Sequence, residues 1–254
     1  MTDITDTLEK HATTALEGKR VLLTGGSTGI GRAILVNLAR EGAELLTFAR
    51  NQEPLAEALR QAGLNTNAGL TADVSVEDDL ERVFAAVDEQ LGGIDILICN
   101  AALGADDLMK QLDWRYVVQT NLMGYMACTH AALERMIKQG SGHIVLISSV
   151  SADIPSPGES VYAATKAGID GFAVALRQEV KDKGVAVSVI APGAVGTDMQ
   201  PYTPEEQREQ ISEEQMLFAE DIADAVHYVL TRAHRVDVFD LRIEPRRQDI
   251  PARS

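Results

Sequence analysis

Tyr162 and Lys166 stand four residues apart in the segment ESVYAATKAG, residues 159–168. On a helix this spacing puts both side chains on one face, so an ammonium group can lie near a phenol. A neighbouring positive charge stabilises a phenolate and lowers its pKa from the usual value of about 10. A tyrosine in this setting can deliver a proton to a carbonyl oxygen during reduction. Alone, the pair is a weak signal, because many helices carry such a pair on their surface.

A glycine-rich turn, TGGSTGIG at residues 24–31, lies far upstream. Its glycines at positions 25, 29 and 31 fall where an apolar strand gives way to a helix. Glycine lacks Cβ, which permits a tight turn and a close approach of a pyrophosphate to the backbone. The start of the helix adds free N–H groups and a positive dipole end. The turn predicts a dinucleotide site, and the alternative is an ordinary strand–turn–helix connection.

The spacing G-x-x-x-G-x-G, with Thr24 in front, resembles the short-chain dehydrogenase/reductase family. Further motifs follow in family order, namely ADV at 72–74, CNAAL at 99–103 and APGAVGTDM at 191–199. Ser149 precedes Tyr162 by 13 residues and Asn121 precedes it by 41, as in the family. The resemblance runs from about residue 19 to 232. It implies an NAD(P)-dependent oxidoreductase that transfers a hydride between the cofactor and a carbonyl or alcohol substrate.

The resemblance also implies roles for individual side chains. Tyr162 would be the general acid/base and Lys166 would reach both the phenol and the cofactor ribose. Ser149 would hydrogen-bond the substrate carbonyl, with Ser148 and Ser151 as close competitors. Asparagine in the middle of a helix is unfavourable unless its side chain has a partner, and the family's asparagine holds a water in a proton relay to the lysine. The catalytic set is therefore Asn121, Ser149, Tyr162 and Lys166.

The cofactor should lie along the glycine turn and the ends of the following strands. Asp73 matches the family's adenine-contacting aspartate, although it could also cap a helix. Ala102 stands where the family usually has glycine, which adds one methyl group near the cofactor. The expected cofactor contacts are Gly25, Ser27, Thr28, Gly29, Ile30, Gly31, Arg50, Asn51, Asp73, Val74, Asn100, Ala101, Tyr162, Lys166, Pro192, Gly193, Val195 and Thr197.

The end of the second strand, TFARNQ, indicates which cofactor is preferred. An acidic residue there would bind the ribose hydroxyls of NAD, but the chain has Ala49 at the aligned position. Arg50 follows and could pair with a 2′-phosphate, which suits a planar cationic donor. We therefore expect NADP(H) to be favoured over NAD(H), unless Arg50 is a solvated surface residue.

Apolar runs alternate with amphipathic segments from residue 19 onward. This pattern predicts a doubly wound α/β Rossmann fold, a parallel seven-stranded sheet with helices on both faces. A single domain should span residues 18–254 behind a polar arm at 1–17. Strands are expected at 20–25, 43–49, 94–101, 142–149, 185–192 and 236–243, with a weaker strand held within 65–74. Helices are expected at 30–42, 54–63, 76–93 with Ser75 as N-cap, 107–139, 160–183, 204–216 and 220–232.

Composition narrows the function further. The chain has 254 residues and a net charge of −15, which disfavours nucleic acid and anionic membrane surfaces as partners. The N-terminus has no basic region followed by an apolar run, and no apolar stretch is long enough to span a membrane. Cys99 and Cys128 should be buried thiols in a reducing compartment. These features predict a cytoplasmic protein, and no metal-ligand spacing is present.

The substrate is harder to read. Contacts are expected from residues 103–107, 151–160 and 198–218. The last segment is rich in acidic residues, which disfavours anionic carriers and so lowers, without excluding, a 3-oxoacyl thioester substrate. A small ketone, aldehyde or sugar-like carbonyl is the first expectation. A non-catalytic NADP(H)-binding sensor or interaction protein is the alternative, although a sensor would have no need of a proton relay. Subunit pairing is usual in the family, so a homodimer or homotetramer is expected.

Overall fold

The computed structural model describes residues 14–104 and 113–248. These residues contain a seven-stranded sheet in which every neighbouring pair of strands is parallel. The strands lie in the order β3-β2-β1-β4-β5-β6-β7. The strand bounds are β1 (Arg20–Thr24), β2 (Glu44–Ala49), β3 (Gly69–Thr71), β4 (Ile96–Cys99), β5 (Gly142–Ile147), β6 (Val185–Pro192) and β7 (Asp240–Ile243). This arrangement confirms the predicted doubly wound fold.

Helices connect the strands and cover both faces of the sheet. Their bounds are α1 (Gly29–Arg40), α2 (Gln52–Gln61), α3 (Glu77–Ala86), α4 (Trp114–Val118), α5 (Gly124–Gln139), α6 (Ser160–Val180), α7 (Pro204–Ser212) and α8 (Ala219–Leu230). A π-helical turn follows α3 at Val87–Leu91, and a second joins α4 to α5 at Gln119–Met123. Among the described residues, no helix is both long enough and apolar enough to cross a membrane.

Two apolar clusters hold the helices against the sheet. Side chains alternate between the faces of a strand, so Leu22 of β1 joins one cluster while Val21 and Leu23 join the other. The first cluster includes residues of α3, α5 and α6, and the second includes residues of α1, α2 and α8. The rigid sheet between these layers fixes the positions of the loops at its carboxyl ends.

Several predicted boundaries are wrong. The last strand begins at Asp240 and not at residue 236, whereas the third strand does lie within 65–74, at Gly69–Thr71 after a 3-10 turn at Thr66–Ala68. Helix α7 ends at Ser212, and Glu214 just beyond it has a φ of +62°, which breaks the helix. Ser75 is not an N-cap, because Val76 precedes α3 and the Ser75 hydroxyl donates to Asp73 Oδ1 instead.

Both ends of the described chain pack on the domain. Thr14 donates backbone and side-chain hydrogen bonds to the Thr231 and Arg232 carbonyls, and Leu16 is buried. At the other end, residues 244–248 fold back over the loop that follows β6. The rest of the predicted N-terminal arm, residues 1–13, lies outside the described residues. So does the predicted start of the long helix at 107.

Candidate active site

One cleft of about 460 Å³ opens at the carboxyl ends of the strands. Every residue predicted to contact the cofactor lines it, from the glycine turn to the loop after β6. Ser149 lines it as well, whereas Asn121 lies behind its wall and is fully buried. Ligands of doubly wound sheets bind where neighbouring strands connect to opposite sides, and β1 and β4 meet at this point.

The glycine turn is shaped by close contacts that a side chain would prevent. Gly25 has a φ of +71°, and a Cβ on Gly31 would lie 2.0 Å from the carbonyl oxygen of Gly25. Thr24 Oγ1 accepts hydrogen bonds from the backbone N–H groups of Asn100 and Ala101, both at 2.9 Å. The Asn100 amide donates back to the carbonyls of Thr24 and Gly25. The turn is therefore fixed against the end of β4.

The first turn of α1 is chemically suited to a phosphate. Thr28 precedes the helix in an extended conformation, and its side chain makes no capping hydrogen bond. Thr28 thus offers no side-chain acceptor to the first N–H groups of the helix, and these groups carry the positive end of the helix dipole. Because Thr28, Gly29 and Ile30 line the cleft, these donors can hold the pyrophosphate of a dinucleotide.

Arg50 and Asp73 lie at the end of the cleft formed by β2 and β3. Arg50 Nη1 donates to the Tyr116 hydroxyl at 2.7 Å, and that hydroxyl donates to Asp73 Oδ2. Asp73 Oδ1 accepts from the backbone and hydroxyl of Ser75 at 2.9 and 2.7 Å. Tyr116 could not be predicted as a site residue from the sequence, because Tyr116 lies 43 residues from Asp73 and belongs to no motif.

Tyr162 and Lys166 share one face of α6 at the opposite end of the cleft. Lys166 is 2% exposed, and its Nζ donates to the Ile147 carbonyl at 2.8 Å. The ammonium lies 5.6 Å from the centre of the Tyr162 ring and 5.3 Å from that of Tyr125. Ser149 Oγ accepts from the Ser151 backbone N–H at 3.1 Å and also hydrogen-bonds the Tyr162 phenol. The structure thus brings the predicted serine, tyrosine and lysine together.

The electrostatics differ from the simple expectation for the tyrosine–lysine pair. Burial raises the pKa of Tyr162 to about 12, although the hydrogen bond with Ser149 opposes this shift. Burial also lowers the pKa of Lys166 to about 7, with the charge of Asp170 acting in the opposite direction. The side chains of this chain alone therefore do not bring the phenol toward a neutral pKa. They keep it protonated at neutral pH and leave the lysine close to its titration point.

Asn121 sits in the π-helical turn between α4 and α5. Its Oδ1 accepts from the Leu103 N–H at 2.8 Å, and its Nδ2 donates to the Leu103 carbonyl at 2.8 Å. A weaker contact joins Nδ2 to Thr165 Oγ1 at 3.4 Å. The side chain therefore holds the segment after β4, which lines the cleft, and connects it to α6. Insertions of this helical type are frequent at functional sites.

The loop after β6 closes the side of the cleft opposite β4. The Gly193 N–H donates to the Ile243 carbonyl at 2.7 Å, and Gln248 Oε1 accepts from the Ala194 N–H at 2.9 Å. Thr197 approaches Gly29, where an added Cβ would lie 3.1 Å from its methyl group. The loop is thus held from β7 and the C-terminal segment and meets the glycine turn.

The expected substrate segments contribute unequally to the cleft. Leu103, Gly104, Met199 and Gln200 line it, while none of the described lining residues comes from 151–160. Part of the segment 103–107 lies outside the described residues. Of the expected substrate segments, the part of the cleft wall that is described therefore comes from the segment after β4 and from the start of the acidic segment.

The cysteines and histidines stand apart from this chemistry. Cys99 and Cys128 are buried and unpaired, as predicted. His143 Nε2 lies 2.8 Å from Ser188 Oγ, and burial lowers the pKa of this histidine to about 4. Across residues 14–104 and 113–248, no group of three or more histidine, cysteine or acidic side chains could hold a metal ion.

Comparison with known proteins agrees with the geometry. The model of the short chain dehydrogenase family matches residues 19–208. This chain belongs to that family. A 3-oxoacyl-[acyl-carrier-protein] reductase, FabG, from Pseudomonas aeruginosa is 38% identical over 225 residues, which cover 85% of this chain and 91% of the relative. An uncharacterized oxidoreductase from Staphylococcus epidermidis is 35% identical over 231 residues, covering 89% of this chain and 97% of the relative.

Solved structures of short-chain dehydrogenases show the same fold. The crystal structure of a protein from Sinorhizobium meliloti, assigned as a short-chain alcohol dehydrogenase, superimposes with a TM-score of 0.78 at 32% sequence identity. The match covers 89% of this chain and 95% of that one. This short-chain dehydrogenase is therefore an oxidoreductase, and its family binds a nicotinamide cofactor.

Proposed function

We propose that this short-chain dehydrogenase reduces a carbonyl compound with NADPH and uses Tyr162 as the proton donor. One observation carries the proposal: a single cleft joins an uncapped helix N-terminus, an arginine at the end of β2 and the tyrosine–lysine pair of α6. The first two features suit a phosphorylated dinucleotide, and the third suits protonation of a carbonyl oxygen.

Different residues of the cleft would bind different parts of the cofactor. Gly25, Gly29 and the first turn of α1 would hold the pyrophosphate, while Asp73 would contact the adenine. The backbone of Val195 and the hydroxyl of Thr197 would orient the carboxamide. When bound, the cofactor supplies the hydride and, once oxidised, a positive charge beside the phenol.

The protonation states fit the direction of reduction. With a pKa near 12, the Tyr162 phenol carries its proton at neutral pH and can donate it to the substrate oxygen. Ser149 hydrogen-bonds the phenol and would hold the carbonyl oxygen beside it. With a pKa near 7, Lys166 can both hold and release a proton, which suits it to resupplying the phenol. We propose that Asn121 supports this relay by holding Leu103.

NADPH preference rests on the end of β2. Ala49 is buried and offers no carboxylate to ribose hydroxyls, while the exposed Arg50 lines the cleft. A guanidinium binds a phosphate through paired hydrogen bonds, which an additional 2′-phosphate can use and a free hydroxyl cannot. We therefore propose NADP(H) as the favoured cofactor.

A small or medium carbonyl is the first substrate candidate, and a 3-oxoacyl thioester is the second. The second is supported by the name of the Pseudomonas aeruginosa relative, which is similar over most of its length. The acidic residues of segment 198–218 disfavour an anionic thioester carrier less than their number suggests, because several of them have partners within the protein. Glu206 completes a capping box with Thr203, Glu205 pairs with Arg208 at 2.5 Å, and Glu214 lies 3.6 Å from Arg247.

A panel of carbonyl compounds tests the proposed activity. Consumption of NADPH would be followed with simple ketones, aldehydes and keto-sugars, and with a 3-oxoacyl thioester of a short carrier mimic. Turnover of any of these supports a reductase, and the ranking of kcat/KM identifies the substrate class. Cofactor binding without turnover on any member of the panel would favour the sensor instead.

We also propose that the enzyme is a homodimer or homotetramer. Apolar side chains are exposed on α5 and α6, among them Met126 at 37% and Val174 at 55%. Where such residues form a contiguous patch, they mark contact sites between proteins. We further propose that the enzyme is located in the cytoplasm, which is supported by the two unpaired buried cysteines.

A further inference from the structure

The Tyr116 hydroxyl stands between the two charged residues at the adenosine end of the cleft. It accepts from Arg50 Nη1 at 2.7 Å and donates to Asp73 Oδ2. The Arg50 guanidinium also lies 5.6 Å from the centre of the Tyr116 ring. The phenol thus joins the cation to the carboxylate through two hydrogen bonds of opposite direction.

Asp73, the acceptor of the phenol's hydrogen bond, is fixed in place. Asp73 is held by the backbone and side chain of Ser75, and its own N–H donates to Asp79 Oδ2 at 2.7 Å. Burial acts to raise the pKa of Asp73, but the hydrogen bonds from Tyr116 and Ser75 and the charge of Arg50 outweigh it and lower the pKa. Asp73 is therefore an ionised acceptor. Tyr116 itself is the third residue of α4, and its N–H donates to the side chain of Asp113, which precedes the helix.

Arg50, by contrast, is exposed and depends on the phenol for its position. Within the described residues, its guanidinium makes this one side-chain hydrogen bond. An exposed arginine without such a partner samples many rotamers, and ordering it on ligand binding costs conformational entropy. The phenol also separates Arg50 from a direct ion pair with Asp73. The remaining N–H groups of Arg50 therefore stay available to an anion in the cleft.

We propose that Tyr116 is a specificity-determining positioning residue, which holds Arg50 ready for the 2′-phosphate of NADPH. This inference rests on the proposed NADPH preference and extends it to a residue outside every motif of the sequence. Tyr116 need not touch the cofactor, because it acts through Arg50. Its loss should weaken binding of the 2′-phosphate while leaving the rest of the adenosine site intact.

Binding of nucleotide fragments separates this role from catalysis. Adenosine 2′,5′-bisphosphate carries the 2′-phosphate, and 5′-AMP is the matched ligand without it. Calorimetric titration would give both dissociation constants for the wild type and for Tyr116→Phe, Arg50→Ala and the double variant. Tyr228→Phe is the control, since Tyr228 is exposed on α8 and does not line the cleft.

We expect Arg50→Ala to weaken the bisphosphate by about tenfold or more and Tyr116→Phe by about threefold to tenfold. Neither substitution should change binding of 5′-AMP by more than about twofold. The double variant should match Arg50→Ala, because Tyr116 acts only through Arg50. In turnover, the ratio of kcat/KM for NADPH to that for NADH should fall in the same order.

Different results would overturn different claims. If Arg50→Ala weakens the bisphosphate but Tyr116→Phe does not, the role of Tyr116 is refuted and the NADPH preference stands. If Arg50→Ala has no selective effect, the NADPH assignment fails, and the role of Tyr116 fails with it. Equal weakening of both ligands by Tyr116→Phe would show a merely structural role and would also refute the proposal. Melting temperatures of all variants would show that each is folded.

Discussion

The side-chain amine of Lys166 lies in the buried interior, where its charged form is destabilised by desolvation. It is 2% exposed, and one backbone carbonyl, that of Ile147, accepts its hydrogen bond. Desolvation of the ammonium form explains why its pKa falls to about 7. The residue identity and its spacing from Tyr162 could be read from the sequence. The protonation states could not, because they depend on burial created by strands and helices distant in the chain.

The buried lysine makes a prediction about stability and pH. Between pH 7 and 10.5, the unfolded chain binds a proton that the folded chain does not. The contribution of Lys166 to the free energy of unfolding therefore rises with pH across this window and is lowest below about pH 7. Lys166→Met lacks this contribution, so the wild type should gain stability relative to the variant as the pH rises. The limiting slope is about 1.4 kcal/mol per pH unit.

Urea denaturation at pH 7, 8 and 9 would measure this difference. Lys138→Met on the exposed surface of α5 is the control, and its difference from the wild type should not depend on pH in this way. A pH-independent difference between the wild type and Lys166→Met would show that the buried amine is not shifted.

The loop after β6 is held in place by a segment that lies elsewhere in the chain. Its motif could be recognised in the sequence, but the segment that supports it could not. The chain after β7 has no regular pattern, and yet Gln248 accepts a hydrogen bond from Ala194 and Arg247 donates its N–H to the Glu214 carbonyl. The same limit applies to Ser75, whose type and position favoured a helix cap. The carboxylate of Asp73 binds its hydroxyl instead.

Removing the Gln248 side chain, which supports the loop after β6, should lower both the stability of the fold and the affinity for the cofactor. In Gln248→Ala, the Ala194 N–H loses its acceptor, which should cost about 1 kcal/mol of stability. The dissociation constant for NADPH should also rise, because the loop lines the cleft. Arg246→Ala is the matched control, since Arg246 is 84% exposed and its ion pair with Glu214 is at the surface. Equal melting temperatures and NADPH affinities for the two variants would contradict this role.

At the scale of the molecule, the parallel sheet with covered faces and the position of the cleft follow from patterns visible in the chain, whereas the order of the strands comes from the structure. Apolar strands alternating with helices require covered faces, and the glycine turn marks the strand end where the ligand lies. The association of subunits is harder to predict from the sequence than the fold is. Exposed apolar residues on α5 and α6 become visible only once the burial of each helix face is known.

The proposed subunit contact can be tested by charge insertion. Val174→Glu places a carboxylate on the exposed face of α6 and should shift a dimer or tetramer toward a monomer. Light scattering after size-exclusion chromatography would measure the mass. Val236→Glu is the control, because Val236 is exposed but lies outside α5 and α6. A wild-type monomer would refute the proposed oligomer, and an unchanged mass for Val174→Glu would place its contact elsewhere.

In the proposed reaction, Tyr162 gives a proton to a carbonyl that receives a hydride from NADPH. The most direct measurement compares NADPH oxidation by the wild type and by Tyr162→Phe with the best substrate of the carbonyl panel. We expect Tyr162→Phe to lose about 100-fold or more in kcat, since general acid catalysis contributes on that order. The dissociation constant for NADPH should stay within about twofold, because the ring remains in place. Turnover of Tyr162→Phe at the wild-type rate would contradict the account.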